Sequence, residues 1–237
     1  MKTPPLTPAE LATIEAAVRE GESRTSGEIF CVVAEDSSDY HGTPIAWAAG
    51  LALLAPAILL LAGVQVSAPE TLLYGGWTAA QVEDIGEATA HAALVGTLVL
   101  QAALFVVTLL IVSIHPIRLA LTPGGMKRDQ VRRRAEAQFL AKNLHTTRER
   151  TGVLIYVSFA ERMAELIADE GIHAQVEAGT WDAAMASLTS GLKRGKAAAG
   201  FAAAVGQCAD VLAKNFPARD GDNPNELADS VVVLPPT

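Results

Sequence analysis

Two apolar runs, Ile45 to Val66 and Ala92 to Ile114, stand out against a chain that otherwise alternates apolar and polar positions with helical or strand spacing. Each is long enough to cross a hydrocarbon layer of roughly 30 Å as a helix rising about 1.5 Å per residue. The pattern predicts a two-helix transmembrane hairpin. Pro56 interrupts the first run and should kink it, which neighbouring helices in lipid tolerate. Gln65 and Gln101 are the strongly polar side chains in or beside the runs, and neither run carries an ionisable residue of the kind that marks a transport or proton path.

Before the hairpin, Thr7, Pro8 and Glu10 form a capping box with proline at the first helical position, followed by the stripe Leu11, Ile14 and Val18. Gly21 is expected to close this helix. Ile29 to Ala34 (IFCVVA) is a continuous β-branched run, the signature of a strand buried on both faces. The turn-like EDSSDYHGTP leads into the first span.

Beyond the hairpin, Thr122 to Gly125 (TPGG) predicts a turn, and a basic helix is expected from about Lys127 to Leu144, with Val131, Ala135, Phe139 and Leu140 on one side. VLIYVSF after Gly152 is a second buried strand. Glu161 and Arg162 mark a turn into a third, MAELIAD. Two helices follow, striped by Met185, Leu188 and Leu192, then by Phe201, Val205, Cys208 and Leu212. Ser230 to Leu234 reads as an edge strand.

The two strong strands flank the hairpin, and neither buries both faces alone. They are expected to pair in parallel, with the basic helix as the crossover that parallel neighbours require. The organisation is then an α/β fold: a three-layer α/β/α cytoplasmic domain with a small mixed sheet, split into residues 1–44 and 115–237 by a hairpin over 45–114 whose loop, 67–91, faces outward.

Charge supports that orientation. The net charge of -8 conceals a partition in which residues 45–114 hold four acids and no Lys or Arg, while Arg118, Lys127, Arg128, Arg132, Arg133 and Arg134 follow the second span. By the positive-inside rule both termini face the cytoplasm of a multi-pass inner-membrane protein, and those six residues form a membrane-surface patch. The chain opens on Pro4, Pro5 and an acidic amphipathic stretch in place of a basic and then apolar leader, so the first span is expected to act as its own targeting signal. The basic stretch lacks interleaved aromatics, which argues for membrane lipid and against nucleic acid. Trp47 suits an interfacial anchor, Trp77 the outer interface, and Trp181 a seat for the helix after it.

The run TSGEIFCVVAEDSSDY, the two spans, RRRAEAQFLAKNLHTTRERTGVLIYVSFAERMAELIADEGI and the closing NELADSVVVL together resemble a membrane-inserted TPM domain protein of bacteria. The resemblance covers most of residues 7–44 and 117–234, and Thr147 to Ser158 is its most specific part. It implies a compact α/β/α domain anchored in a membrane, in a family associated with phosphatase activity, metal binding and accessory roles for membrane complexes.

The residues themselves spell no familiar catalytic arrangement. EDSSD lacks the Asp-x-Asp spacing of aspartyl-phosphate enzymes, Cys31 lies in mid-strand without a Cys-x5-Arg loop, and Gly124 with Gly125 is only a glycine pair. Cys31 and Cys208 read as buried thiols. The histidines do not converge: His41, His91 and His115 flank spans, His145 ends the basic helix, and His173 lies in a loop. One constellation remains. Parallel strands end at one edge, which brings Asp36 and Asp39 near Ser158 and Glu161, oxygens suited to a calcium or magnesium ion, whereas Asp169 and Glu170 fall at the opposite edge. The first functional reading is a non-enzymatic binding or assembly factor with a membrane-protein partner. The alternative is a metal-dependent phosphatase using that acidic edge.

Overall fold

The structure, a computed structural model, describes residues 6–64, 85–177, 179–219 and 227–236. The expected positions of Gln65, Val66, Trp77 and the loop acids Glu70, Glu83 and Asp84 lie outside the described residues. Two compact units are present: Met1–Asp39 with Pro123–Thr237, and Tyr40–Thr122.

The first unit is built on a four-stranded mixed sheet. Helix α1 (Pro8–Glu22) precedes β1 (Glu28–Ala34), and α5 (Gly124–Ala141) leads through a 3-10 turn to β2 (Gly152–Ser158). Then come β3 (Met163–Ala168), the short α6 (Glu170–His173), α7 (Asp182–Lys193), α8 (Ala197–Asn215) and β4 (Val232–Leu234). The sheet order is β3-β2-β1-β4. β1 pairs in parallel with β2 from Glu28↔Gly152 to Ala34↔Ser158, and β3 returns antiparallel to β2. Every residue of β1 and β2 is buried, as continuous apolar runs require of strands covered on both faces.

The sheet separates two cores. On one face Ile29, Cys31, Val33, Val153, Ile155 and Val157 meet α1, α7 and α8; on the other Phe30, Val32, Leu154 and Tyr156 meet Val131, Ala135 and Phe139 of α5. This alternation is the period-2 geometry of strands, and it makes the unit an α/β/α sandwich. Each wholly buried Val, Leu, Ile or Phe contributes about 1.5–3 kcal/mol, so the α8 stripe of Phe201, Val205 and Leu212 is a large share of the stability.

Local expectations were met at the start of α1, where Thr7 Oγ1 accepts from Glu10 N at 3.3 Å and the Glu10 carboxylate accepts from Thr7 N at 2.8 Å. Gly21 does not close that helix, which runs on to Glu22. A side chain on Gly21 would stand 2.9 Å from Cβ of Ala209, so its role is to let α8 approach. The predicted TPGG turn is also shorter: Gly124 and Gly125 open α5, whose first-turn N–H groups lack helical partners in any case. α5 stops at Ala141, Leu140 is 59% exposed, and the inward stripe is Val131, Ala135 and Phe139 alone. One residue further along a helix turns about 100°, which carries Leu140 off that face. His145 accordingly lies in the 3-10 turn Leu144–Thr146, and His173 in α6 instead of a loop.

The second unit contains α2 (Gly42–Leu61), α3 (Ile85–Ser113) and the short α4 (His115–Leu121). Residues 85–91, expected in the loop, are helical, in keeping with their alanines. Gly42–Leu61 and Ala92–Ser113, of 20 and 22 residues, are long and apolar enough to cross a membrane, and only 17% of the most apolar stretch of each is buried. Leu53, Leu54, Leu60 and Leu61 of α2 and Leu94, Leu98 and Leu110 of α3 are exposed. A soluble core helix would hide such residues; here the apolar surface points outward. Polar contacts gather at one end of the pair: Thr43 and Thr122 hydroxyls share a hydrogen bond of 3.0 Å, and Trp47 Nε1 donates to Leu121 O at 3.2 Å.

The crossing of α7 over α8 generates a stability prediction. A Cβ on Gly200 would lie 2.9 Å from Gly191 Cα and 3.1 Å from Ser187 O, main-chain atoms that cannot step aside. Gly200→Ala is expected to cost about 1–3 kcal/mol by forcing the helices apart, read as a lower chemical denaturation midpoint of the sheet unit.

Candidate functional site at the strand ends

The parallel register ends with Ala34 opposite Ser158, and the two chains stay joined for another step: Phe159 N donates to Ala34 O at 3.1 Å and Ala160 N to Glu35 O at 2.8 Å. β2 then turns sharply. Arg162 takes a left-handed φ of 53° and donates its N–H to Phe159 O at 3.2 Å, which sends the chain back as β3. This turn aims Glu161 at the chain leaving β1. Its Oε1 accepts from Ser37 N at 3.0 Å, and its Oε2 accepts from the Ser158 hydroxyl in a short hydrogen bond.

A second link lies beside the first. The Ser37 hydroxyl and the Tyr156 phenol are 3.0 Å apart. Asp36, Ser37, Ser158 and Glu161 are all buried, Ser158 wholly so, and Asp39 is half-buried. Burial pushes the Tyr156 phenol up, the Ser37 bond and the Arg134 guanidinium draw it down, and the charges of Glu161 and Asp36 raise it again. Tyr156 is therefore a neutral hydroxyl. The structure brings Asp36, Ser158 and Glu161 to one edge, together with Ser37 and Tyr156, which the sequence reading did not include. The signal for Tyr156 was present: a phenol in a strand buried on both faces has to find a polar partner.

The arrangement limits the chemistry. Among the described residues no three His, Cys, Asp or Glu side chains gather as a metal-holding group. Two of the lone-pair directions of Glu161 are already taken by Ser37 and Ser158. A serine hydroxyl bonded to a carboxylate is the geometry of a nucleophile with its base, but Ser158 has no exposed surface from which to attack a substrate. What the contacts do is hold the exit of β1 against the β2–β3 turn.

The basic residues divide differently from their sequence order. Arg118 lies on α4 in the second unit, 3.4 Å from His115 Nδ1. Lys127, Arg128, Arg132, Arg133 and Arg134 lie on α5. Arg128, Arg132 and Arg133 are exposed, and Arg132 pairs with Glu136 at 2.9 Å and reaches Glu165 on β3 at 3.9 Å. Arg134 turns inward: it is half-buried beside Tyr156, and its Nε is buried with no hydrogen-bond partner among the described residues. At the opposite sheet edge Asp169 caps α6 and accepts from Arg150 at 3.2 Å. Cys31 and Cys208 are free and buried; burial pushes both thiols up, Cys208 to about 12.

The network carries a prediction. Glu161→Ala strands the Ser37 N–H and the Ser158 hydroxyl in a dry site, at about 1–3 kcal/mol for an unsatisfied buried group. Glu161→Gln keeps an acceptor oxygen and should lose less. Urea titrations of the two variants against the parent check the order, and equal losses would show that the carboxylate does not organise the edge.

Comparison with known proteins comes from two directions. A family model described as the TPM domain matches residues 114–211. Among solved structures, the NMR structure of the BA42 protein from the psychrophilic bacterium Bizionia argentinensis aligns with a TM-score of 0.54 at 18% identity, over 97% of this chain and 95% of that one. At that identity the likeness speaks for the fold. No curated protein matches. The family match starts where the second apolar helix ends and takes in the basic helix α5, β2, β3, α7 and most of α8, while α1, β1 and β4 lie outside it. Residues 114–211 of the chain thus match the TPM domain.

Proposed function

We propose that this TPM domain protein is held in the bacterial inner membrane by α2 and α3 as a multi-pass protein with both termini in the cytoplasm, and that it serves as a non-enzymatic binding or assembly factor at the cytoplasmic membrane face. The outward-pointing apolar surface of the two helices supports the anchor. The supporting observation for the non-enzymatic role is the strand-end network, where Glu161, Ser158, Ser37 and Tyr156 use their polar atoms on one another and none of the four is an accessible nucleophile. Exposed Arg128 and Arg133, with Arg118 on α4, supply charge for anionic lipid at about 1 kcal/mol per residue near a negative leaflet.

The site sits one short step along the chain from the first span, since Asp39 is three residues before Gly42. The partner proposed to read this edge is a membrane protein. In-cell crosslinking from probes placed at exposed α5 positions is expected to capture a discrete membrane-protein partner. Capture of lipid alone, or release of the protein from membranes at alkaline carbonate, would overturn the reading.

A second reading has its own support. Asp36 and Glu161 both border Tyr156, and the unpartnered Arg134 Nε lies on the same side. A metal-dependent phosphatase could draw on Asp36, Asp39, Ser158 and Glu161 for calcium or magnesium, with a cation near the phosphoryl group. It predicts metal-dependent turnover of a phosphoester by the full chain in detergent, lost in Asp36→Ala and Asp39→Ala. The assembly-factor reading predicts no turnover with either metal.

A further inference from the structure

The seam between the C-terminal segment and the start of the sheet is lined with carboxylates from three elements. Leu227 N donates to Glu28 Oε2 and Val231 N to Glu15 Oε1, each at 3.3 Å, and Asp229 lies 3.6 Å from Arg19 Nε. The segment is therefore tied down by side chains of α1 and β1 more than by its own strand. β4 meets β1 only at Val32, Val33 and Ala34. Below them the open edge of β1 is closed by a side chain: Glu22 Oε1 accepts from Ile29 N at 2.8 Å.

Glu22 thus stands in for a missing strand, in a place that is poor for a negative charge. Burial pushes its carboxyl up to about 8; the Ile29 N–H opposes this, and the neighbouring charges of Glu28 and Asp229 add to it. The other groups around it are the Cys31 thiol of β1, which senses Glu22, the Cys208 thiol behind it on α8, and Glu15 with Arg19 on α1. Arg24, the next cation, is held to Asp210 of α8 at 2.7 Å. Arg19, a cation at the seam, already serves Asp229.

We propose that residues 227–236 form a pH-released strap, seated on the β1 edge while Glu22 is protonated and let go when Glu22 ionises against the strap's own Asp229. The direction follows from linkage. A carboxyl raised above its usual 4.5 favours the seated form fully at pH below that value, and the contribution is lost as pH rises through about 8. The larger elements do not depend on the strap, because β1 keeps its seven-residue pairing with β2. Release has a local effect. Leu227, Val232 and Leu234 leave the face that holds Tyr156, Val231 leaves the other, and the outer edge of β1 is bared as far as Ala34, two residues before Asp36. A bared edge is a template for another strand.

The test is amide hydrogen exchange on the full chain in lipid nanodiscs at about pH 6.5 and about pH 9.5, each rate divided by its intrinsic rate, since exchange reads local opening. Protection at Val231 to Leu234 is expected to fall about tenfold or more between the two pH values while Leu154 and Ile155 of β2 stay protected. Glu22→Gln keeps an acceptor for Ile29 N but cannot ionise, and is expected to hold the strap at both pH values. Should that variant fail to fold, the carboxyl carbon of Glu22 in the parent protein, followed by NMR, must titrate with the same midpoint as the loss of protection. Constant protection, equal loss in β2, an unchanged pH response in Glu22→Gln, or separate midpoints would each overturn the proposal.

Discussion

Everything in the sheet unit depends on β1 lying in parallel register against β2. Both strands are buried at every position, so each must be flanked by strands and covered by helices on two faces before its backbone and side chains are satisfied. Pairing them creates the two cores at once, because odd positions of β1 turn to α1, α7 and α8 and even positions to α5. It also brings two chain exits to one edge. The network of Glu161 with Ser37 and Ser158 follows from that register: slip it by one residue and the carboxylate faces the wrong layer.

The strand-end contacts are best understood as reinforcement of a vulnerable joint. A domain whose chain departs after its first strand risks fraying there, since the last pair of the ladder has nothing beyond it. Here the ladder is prolonged by Phe159 and Ala160 N–H groups, then by a carboxylate that accepts from the departing main chain at Ser37. The buried hydroxyls of Ser158 and Tyr156 complete the joint.

Much of the fold was legible in the sequence because periodicity and local chemistry agree there. The capping box at Thr7, the β-branched runs around Cys31 and Ile155, and the stripe from Phe201 to Leu212 each declare their element without reference to the rest. The pairing of β1 with β2 could be inferred because neither run can be buried alone. What escaped was orientation within dense stretches. Arg132, Arg133 and Arg134 read as one charge run, yet successive helical residues point about 100° apart, so one of the three meets the sheet while the others face water. Glu22 was equally silent. Its role comes from the shortness of β4, which leaves Ile29 N in need of an acceptor, and strand length is the property that sequence patterns specify least.

The parallel pair also sets a schedule. Partners in β1 and β2 are 124 residues apart along the chain, as Ser37 and Glu161 are. At synthesis rates of about 5–20 residues per second, β1 emerges on the order of ten seconds before the strand it needs. During that interval both apolar helices are made, so a largely apolar strand waits unpaired while they are synthesised. The nascent protein is thus most exposed to misassembly between the two strands, and the sheet closes only once β2 has been made.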